Sequence, residues 1–202
     1  MSDQIWKKDF LSKCKELINE VDVAPDLVIG ILNGGGYLVE AFKEDVHYKT
    51  KRFEQIKLQR VVESIKNNPI LKILFKLLPY IILDKLRNHE SIKDRKSIDS
   101  MNLVELANIK IDFKISSTSN NKLIKTILII DDAIDTGRTV FVVKSNLKKV
   151  FPEVEIKIAV ISWTLEASII APDYYIYKNI LVRFPWSKDY KGKDFEKKSF
   201  SS

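Results

Sequence analysis

Cysteine is almost absent from this 202-residue chain: Cys14 stands alone, so no internal disulfide is possible. Its neighbours Phe10, Leu11, Leu17 and Ile18 read as one apolar helix face, which makes Cys14 a packed thiol rather than a nucleophile. Histidine is nearly as sparse. His47 and His89 have no cysteine or histidine partners at ligand spacing, so the sequence offers no structural metal site. No uninterrupted apolar run reaches the length of a membrane span, and Lys7, Lys8 and Asp9 follow Met1 where a signal peptide would carry its apolar core. A cytoplasmic chain is expected. Glycine occurs six times, and five of the six fall in two places, Gly30 with Gly34, Gly35 and Gly36, and Gly137.

What is present is ordinary in amount. Hydrophobic residues make up 45% and charged residues 30%, which is the balance of a globular domain, and the length suits one domain, or one domain with a generous insertion. The net charge of +7 favours a polyanionic partner: nucleic acid, an anionic membrane surface, or a highly phosphorylated small molecule. No separate DNA-reading domain is expected, which counts against DNA as that partner.

The most informative stretch runs from Ile127 to Val140, ILIIDDAIDTGRTV. Four consecutive apolar residues, Ile127 to Ile130, predict a strand buried on both faces, as in the centre of a parallel sheet. Asp131 and Asp132 follow at its carboxyl end, where open α/β sheets bind ligands. Gly137 lets the backbone approach an anion closely, and Thr136 and Thr139 add hydroxyl donors at the start of the next helix. Acids beside a phosphate cradle suit a sugar phosphate, whose hydroxyls donate to carboxylates while its phosphate takes the amides.

This segment resembles the ribose-phosphate motif of type I phosphoribosyltransferases: an apolar run, two acids, then D-T-G-x-T. The resemblance implies a mainly parallel sheet with helices on both faces and a C-terminal hood. It also implies the transfer of a phosphoribosyl group from phosphoribosyl diphosphate (PRPP) to an acceptor, with Mg2+ arriving on the diphosphate. Asp131, Asp132, Ala133, Ile134, Thr136, Gly137, Arg138 and Thr139 would then hold ribose and phosphate. Asp135 matches the general base toward the acceptor in purine-type members.

Before this segment, an amphipathic helix is expected from about Gln4 to Glu20, then a buried strand Leu27–Leu32, a turn Asn33-Gly34-Gly35-Gly36, and a helix from Tyr37 to Phe42. The phrase PDLVIGILNGGG resembles the diphosphate loop of the same transferases, with Asn33 where members often carry lysine or arginine. Asn33, Gly34 and Gly35 are the expected diphosphate contacts. Positive charge would come from Lys57 and Arg60, on a half-buried strand whose pattern is Phe53, Ile56 and Leu58. Lys49, Lys51 and Arg52 fit a solvated charge run equally well.

From about residue 61 to 108 the family pattern does not hold. NNPILKILFKLLPYIILDKLRNHE predicts two short apolar helices, Ile70–Leu78 and Tyr80–Asn88, separated at Pro79. Such a hairpin needs a partner surface: the core, a second subunit in a homo-oligomer, or a membrane surface. Lys93 to Asp99 reads as a mixed-charge linker, Asn102–Asn108 as a helix, and Ile109–Ile115 as an alternating strand. A helix Thr139–Val150 and a strand Val154–Trp163 follow the central motif.

The tail, APDYYIYKNILVRFPWSKD, resembles the closing hood of bacterial and archaeal xanthine-guanine-type transferases, where P-D-Y-Y precedes a last strand ending F-P-W. By that likeness the base-stacking aromatic falls at Leu181 and the lysine that reads a purine oxo group falls near Leu165. Trp163, Tyr174, Tyr175 and Trp186 are alternative stacking residues, and Trp163, Leu181 and Trp186 are the acceptor candidates. A purine-type nucleobase is the acceptor that the resemblance implies. Two other readings stay open: a regulatory protein that binds PRPP or a nucleotide without transfer, and a transferase with a non-nucleobase acceptor docked on a membrane or partner through the insertion.

Overall fold

In a computed structural model, residues 2–4, 7–58, 95–111, 115, 123–187, 190 and 191 are described. The expected helices at Ile70–Leu78 and Tyr80–Asn88 and the residue Arg60 lie outside them. Strand β1 (Ser2–Gln4) precedes helix α1 (Lys7–Glu20), then come β2 (Leu27–Leu32), α2 (Gly34–Glu44), β3 (Arg52–Lys57), α3 (Leu103–Asn108), β4 (Thr126–Ile134), α4 (Arg138–Val150), β5 (Glu155–Trp163), β6 (Tyr174–Lys178) and β7 (Leu181–Arg183).

Five strands form a wholly parallel sheet in the order β3-β2-β4-β5-β6. Strand alternation divides the core in two. Val28, Leu128 and Ile130 face α1 and α2 with Cys14, Leu17, Leu38 and Phe42. Leu27, Ile29, Ile127 and Ile129 face α4 with Val140, Val143 and Leu147. A strand covered on both faces carries no polar face, which is why β2 and β4 read as continuous apolar runs. Cys14 is fully buried, and that burial pushes its thiol pKa up.

Four elements depart from the sequence expectation. Ser2–Gln4 pairs with Leu181–Arg183 in a separate two-stranded parallel sheet, so the hood takes its second strand from the N-terminus and α1 begins only at Lys7. The first turn of α2 contains Gly34, Gly35 and Gly36, all buried, where a loop was expected. Residues 95–98, expected as linker, are helical. Residues 109–111 form no strand: Asn146 on α4 donates to the Ile109 carbonyl (2.7 Å) and accepts from the Ile111 amide (3.4 Å), which satisfies those groups without a neighbouring strand.

Candidate active site

The carboxyl ends of β2 and β4, hydrogen-bonded neighbours at the centre of the sheet, each lead into a helix N-terminus. β4 runs past its apolar stretch through Asp131 and Asp132 to Ile134, because β5 supplies ladder partners along that length, with Asp131 opposite Val160 and Ala133 opposite Ser162.

Gly137 adopts φ +81°, the left-handed conformation that disfavours a side chain, and serves as the N-cap of α4. A Cβ there would also lie 2.9 Å from Ile170 Cγ2. The Thr136 hydroxyl accepts from the Arg138 amide (3.4 Å), and the Thr136 carbonyl accepts from the Ile169 amide (2.9 Å). The first amides of α4 lie at the positive end of its dipole, an arrangement that suits an anion. Asp135 is exposed beside it.

Asp131 is buried, and its Oδ1 accepts from the Asp132 amide (2.9 Å). Asp132 is half-buried, and both of its carboxylate oxygens accept hydrogen bonds. Oδ1 accepts from the Ala133 amide (2.9 Å) and Oδ2 from Trp186 Nε1 (2.6 Å). A Cβ on Gly34 would overlap this carboxylate, and one on Gly35 would come within 2.6 Å of the Ile130 carbonyl oxygen. Glycine is thus required for α2 to start against β4. Burial raises the Asp132 pKa, Asp135 adds to the rise, and hydrogen bonds from Trp186, Asp131 and the Ala133 amide oppose it.

Lys57 lies opposite Leu32 in the β2–β3 register, next to Asn33, at the same sheet edge. The Leu32–Asn33 peptide is cis. Ile134 behaves differently from its neighbours: its side chain is in the core, and its carbonyl accepts from the Thr164 amide.

The acceptor candidates are not brought to an open face. Trp163 is buried: its Nε1 donates to Ser168 Oγ (2.8 Å), Lys178 Nζ lies 4.8 Å above its ring, and Tyr175 meets it edge-on. Because Ser168 Oγ in turn donates to the Ile170 carbonyl, Trp163 anchors the loop that lies on Gly137. Trp186 is stacked between Tyr37 (4.4 Å) and Phe184 (5.0 Å), so both its faces are covered. Leu181 is half-buried in β7, and Leu165 is buried. One polar group escaped the sequence reading: Lys178 donates to Glu166 Oε1 (2.6 Å) and Asn179 to its Oε2 (3.2 Å) at the carboxyl ends of β5 and β6. Those bonds lower the Glu166 pKa, the Lys178 bond first. The partners are twelve and thirteen residues apart, and no local pattern announces them.

The phosphoribosyl transferase domain profile matches residues 2–191, so the chain belongs to the phosphoribosyltransferase family and is an enzyme of that class. Its fold is shared with solved structures of low sequence identity. A purine phosphoribosyltransferase from Pyrococcus horikoshii superposes with a TM-score of 0.57 at 18% identity, covering 100% of this chain and 99% of the other. The xanthine-guanine-hypoxanthine phosphoribosyltransferase of Helicobacter pylori gives 0.56 at 15% identity, covering 92% of each chain. No curated protein matches the sequence. Among the described residues no helix is long and apolar enough to cross a membrane.

Proposed function

We propose that this enzyme transfers the phosphoribosyl group of PRPP to a purine-type nucleobase, with release of diphosphate. The observation that carries this reading is the pair of helix starts, Gly34–Gly36 and Gly137–Thr139, at the carboxyl ends of neighbouring strands beside Asp131 and Asp132, an arrangement that suits a phosphorylated sugar. The 5′-phosphate takes the α4 amides with Thr136, Arg138 and Thr139. The ribose hydroxyls donate to Asp131 and Asp132, and Ala133 supplies backbone at the same edge. The diphosphate lies at Asn33, Gly34 and Gly35 on the positive end of α2, where Lys57 adds charge.

A nitrogen of the acceptor attacks C1 of the ribose while the C1–oxygen bond to diphosphate breaks. The sugar passes through oxocarbenium character, which the two carboxylates stabilise, and Asp135 takes the proton that the attacking nitrogen loses. Thr164, Glu166 and Lys178, at the carboxyl ends of β5 and β6, offer the polar groups for recognising the acceptor. Among the described residues no three histidine, cysteine or acidic side chains are grouped to hold a metal. Mg2+ would arrive with the diphosphate, as an ion bound chiefly by substrate oxygens and water, and would neutralise leaving-group charge.

Thermal unfolding with Mg2+ and PRPP tests the donor site. At about a hundred times its dissociation constant the ligand stabilises the native state by roughly 2.7 kcal/mol, several degrees in a domain of this size. The wild type should show this shift and an Asp131→Asn, Asp132→Asn double variant should lose it; an unresponsive wild type would refute the reading. Asp135→Ala should retain the shift and lose transfer to hypoxanthine, guanine or xanthine, measured as diphosphate release.

A further inference from the structure

We propose that Trp186 is a positioning residue that holds the Asp132 carboxylate in place for the ribose hydroxyls through a neutral N–H donor, which favours the ionised form without neutralising it. The inference rests on the proposed donor site. Its basis is geometric. The indole is stacked between Tyr37 at 4.4 Å and 12° and Phe184 at 5.0 Å and 9°, and Phe10 meets its edge at 5.0 Å and 87°. A ring fixed on both faces cannot swing, so the direction of its N–H is set by packing, and that N–H reaches Asp132 Oδ2 at 2.6 Å.

The contacts join three parts of the site. Tyr37 directly follows the three glycines of the diphosphate turn, Asp132 belongs to the ribose motif, and Phe184 and Trp186 follow the hood strand β7. The two carboxylate oxygens have about four acceptor directions in all. Trp186 takes one at Oδ2, the Ala133 amide takes one at Oδ1 and Asp131 bonds the same carboxylate, which leaves about one direction for a ribose hydroxyl.

The choice of donor has a chemical consequence. A lysine or arginine at this point would also hold the carboxylate, but it would cancel the negative charge that an oxocarbenium sugar needs. An indole N–H is neutral, so it favours the ionised form and leaves the charge in place. The groups facing Asp132 from its own chain segment are Asp131 and Asp135, and the first turn of α2 packed on it contains no acidic side chain. Without the indole, burial and Asp135 would act with less opposition. Both carboxylates were legible in the sequence, whereas the residue that orients one of them lies 54 positions away.

The test uses two replacements. Trp186→Phe keeps an aromatic ring in the stack and removes the N–H; substituting a benzothiophene amino acid at position 186 keeps the full bicyclic shape and removes only the N–H. Both proteins should unfold within a few degrees of wild type when ligand-free. Both should bind PRPP with Mg2+ about tenfold more weakly, the scale of one hydrogen bond to a charged acceptor. In the ligand-free proteins the Asp132 carboxyl, followed by its carbon-13 shift, should ionise at higher pH than in wild type. A benzothiophene protein that binds PRPP and titrates like wild type would reduce Trp186 to packing and overturn the inference alone. A wild type that fails to bind PRPP would overturn the proposed function and this role with it, while the carboxyl titration would still show whether the indole holds Asp132.

Discussion

Gly34 and Gly137 are both glycine for steric reasons, but the reasons differ. At Gly137 the constraint is backbone: φ of +81° disfavours any side chain, and Ile170 closes the space above it. Gly137→Ala is expected to cost about 1–2 kcal/mol in urea unfolding and to weaken PRPP binding by moving the first amides of α4. At Gly34 the constraint is the Asp132 carboxylate, which a Cβ would overlap. Gly34→Ala should destabilise by about 1–3 kcal/mol and abolish the thermal shift with PRPP, since either the helix start or the carboxylate must move. Five of six glycines at two places were visible in the sequence. That one is required by φ and the other by a residue nearly a hundred positions away was not, because neither a torsion angle nor a distant carboxylate leaves a local mark.

The elements were read best where burial on both faces left a continuous apolar run. β2 and the apolar part of β4 are of this kind, and Ile129, fully buried against α4, should cost about 2–5 kcal/mol as Ile129→Ala in urea unfolding. Elements whose partners are remote were read least well. Alternation at Ile109–Ile115 predicts a strand, yet Asn146 captures 109–111 on α4, bonding the Ile109 carbonyl, the Ile111 amide and its own helix at Val142. Asn146→Ala should cost about 1–3 kcal/mol by leaving those backbone groups without a partner, while PRPP binding persists, because the contact lies on the helix flank away from the sheet's ligand edge. β1 has the same origin: three residues become a strand only because β7 offers them a ladder.

For the whole molecule, Asp132 sets an opposition between binding and stability. Its folded pKa is raised above the ordinary value of 3.8, chiefly by burial. The folded state therefore binds a proton more readily than the unfolded state, and lowering the pH from above the raised value toward 3.8 increases this group's contribution to ligand-free stability. PRPP affinity should move the other way over the same interval, because the protonated acid is a weaker acceptor for a ribose hydroxyl and carries no negative charge. Unfolding temperatures measured with and without PRPP across that interval should converge as the pH falls. The apolar runs and the paired acids determined, from sequence alone, a parallel α/β sheet with two carboxylates at its carboxyl edge, because strand burial and strand ends depend on neighbours in the chain. Only the tertiary structure decided that α2 begins at Gly34 against Asp132, that Ser2–Gln4 completes the hood, and that Trp186 turns its N–H to a carboxylate with both ring faces covered. Those are contacts between distant segments, and they exist only once the sheet has brought the segments together.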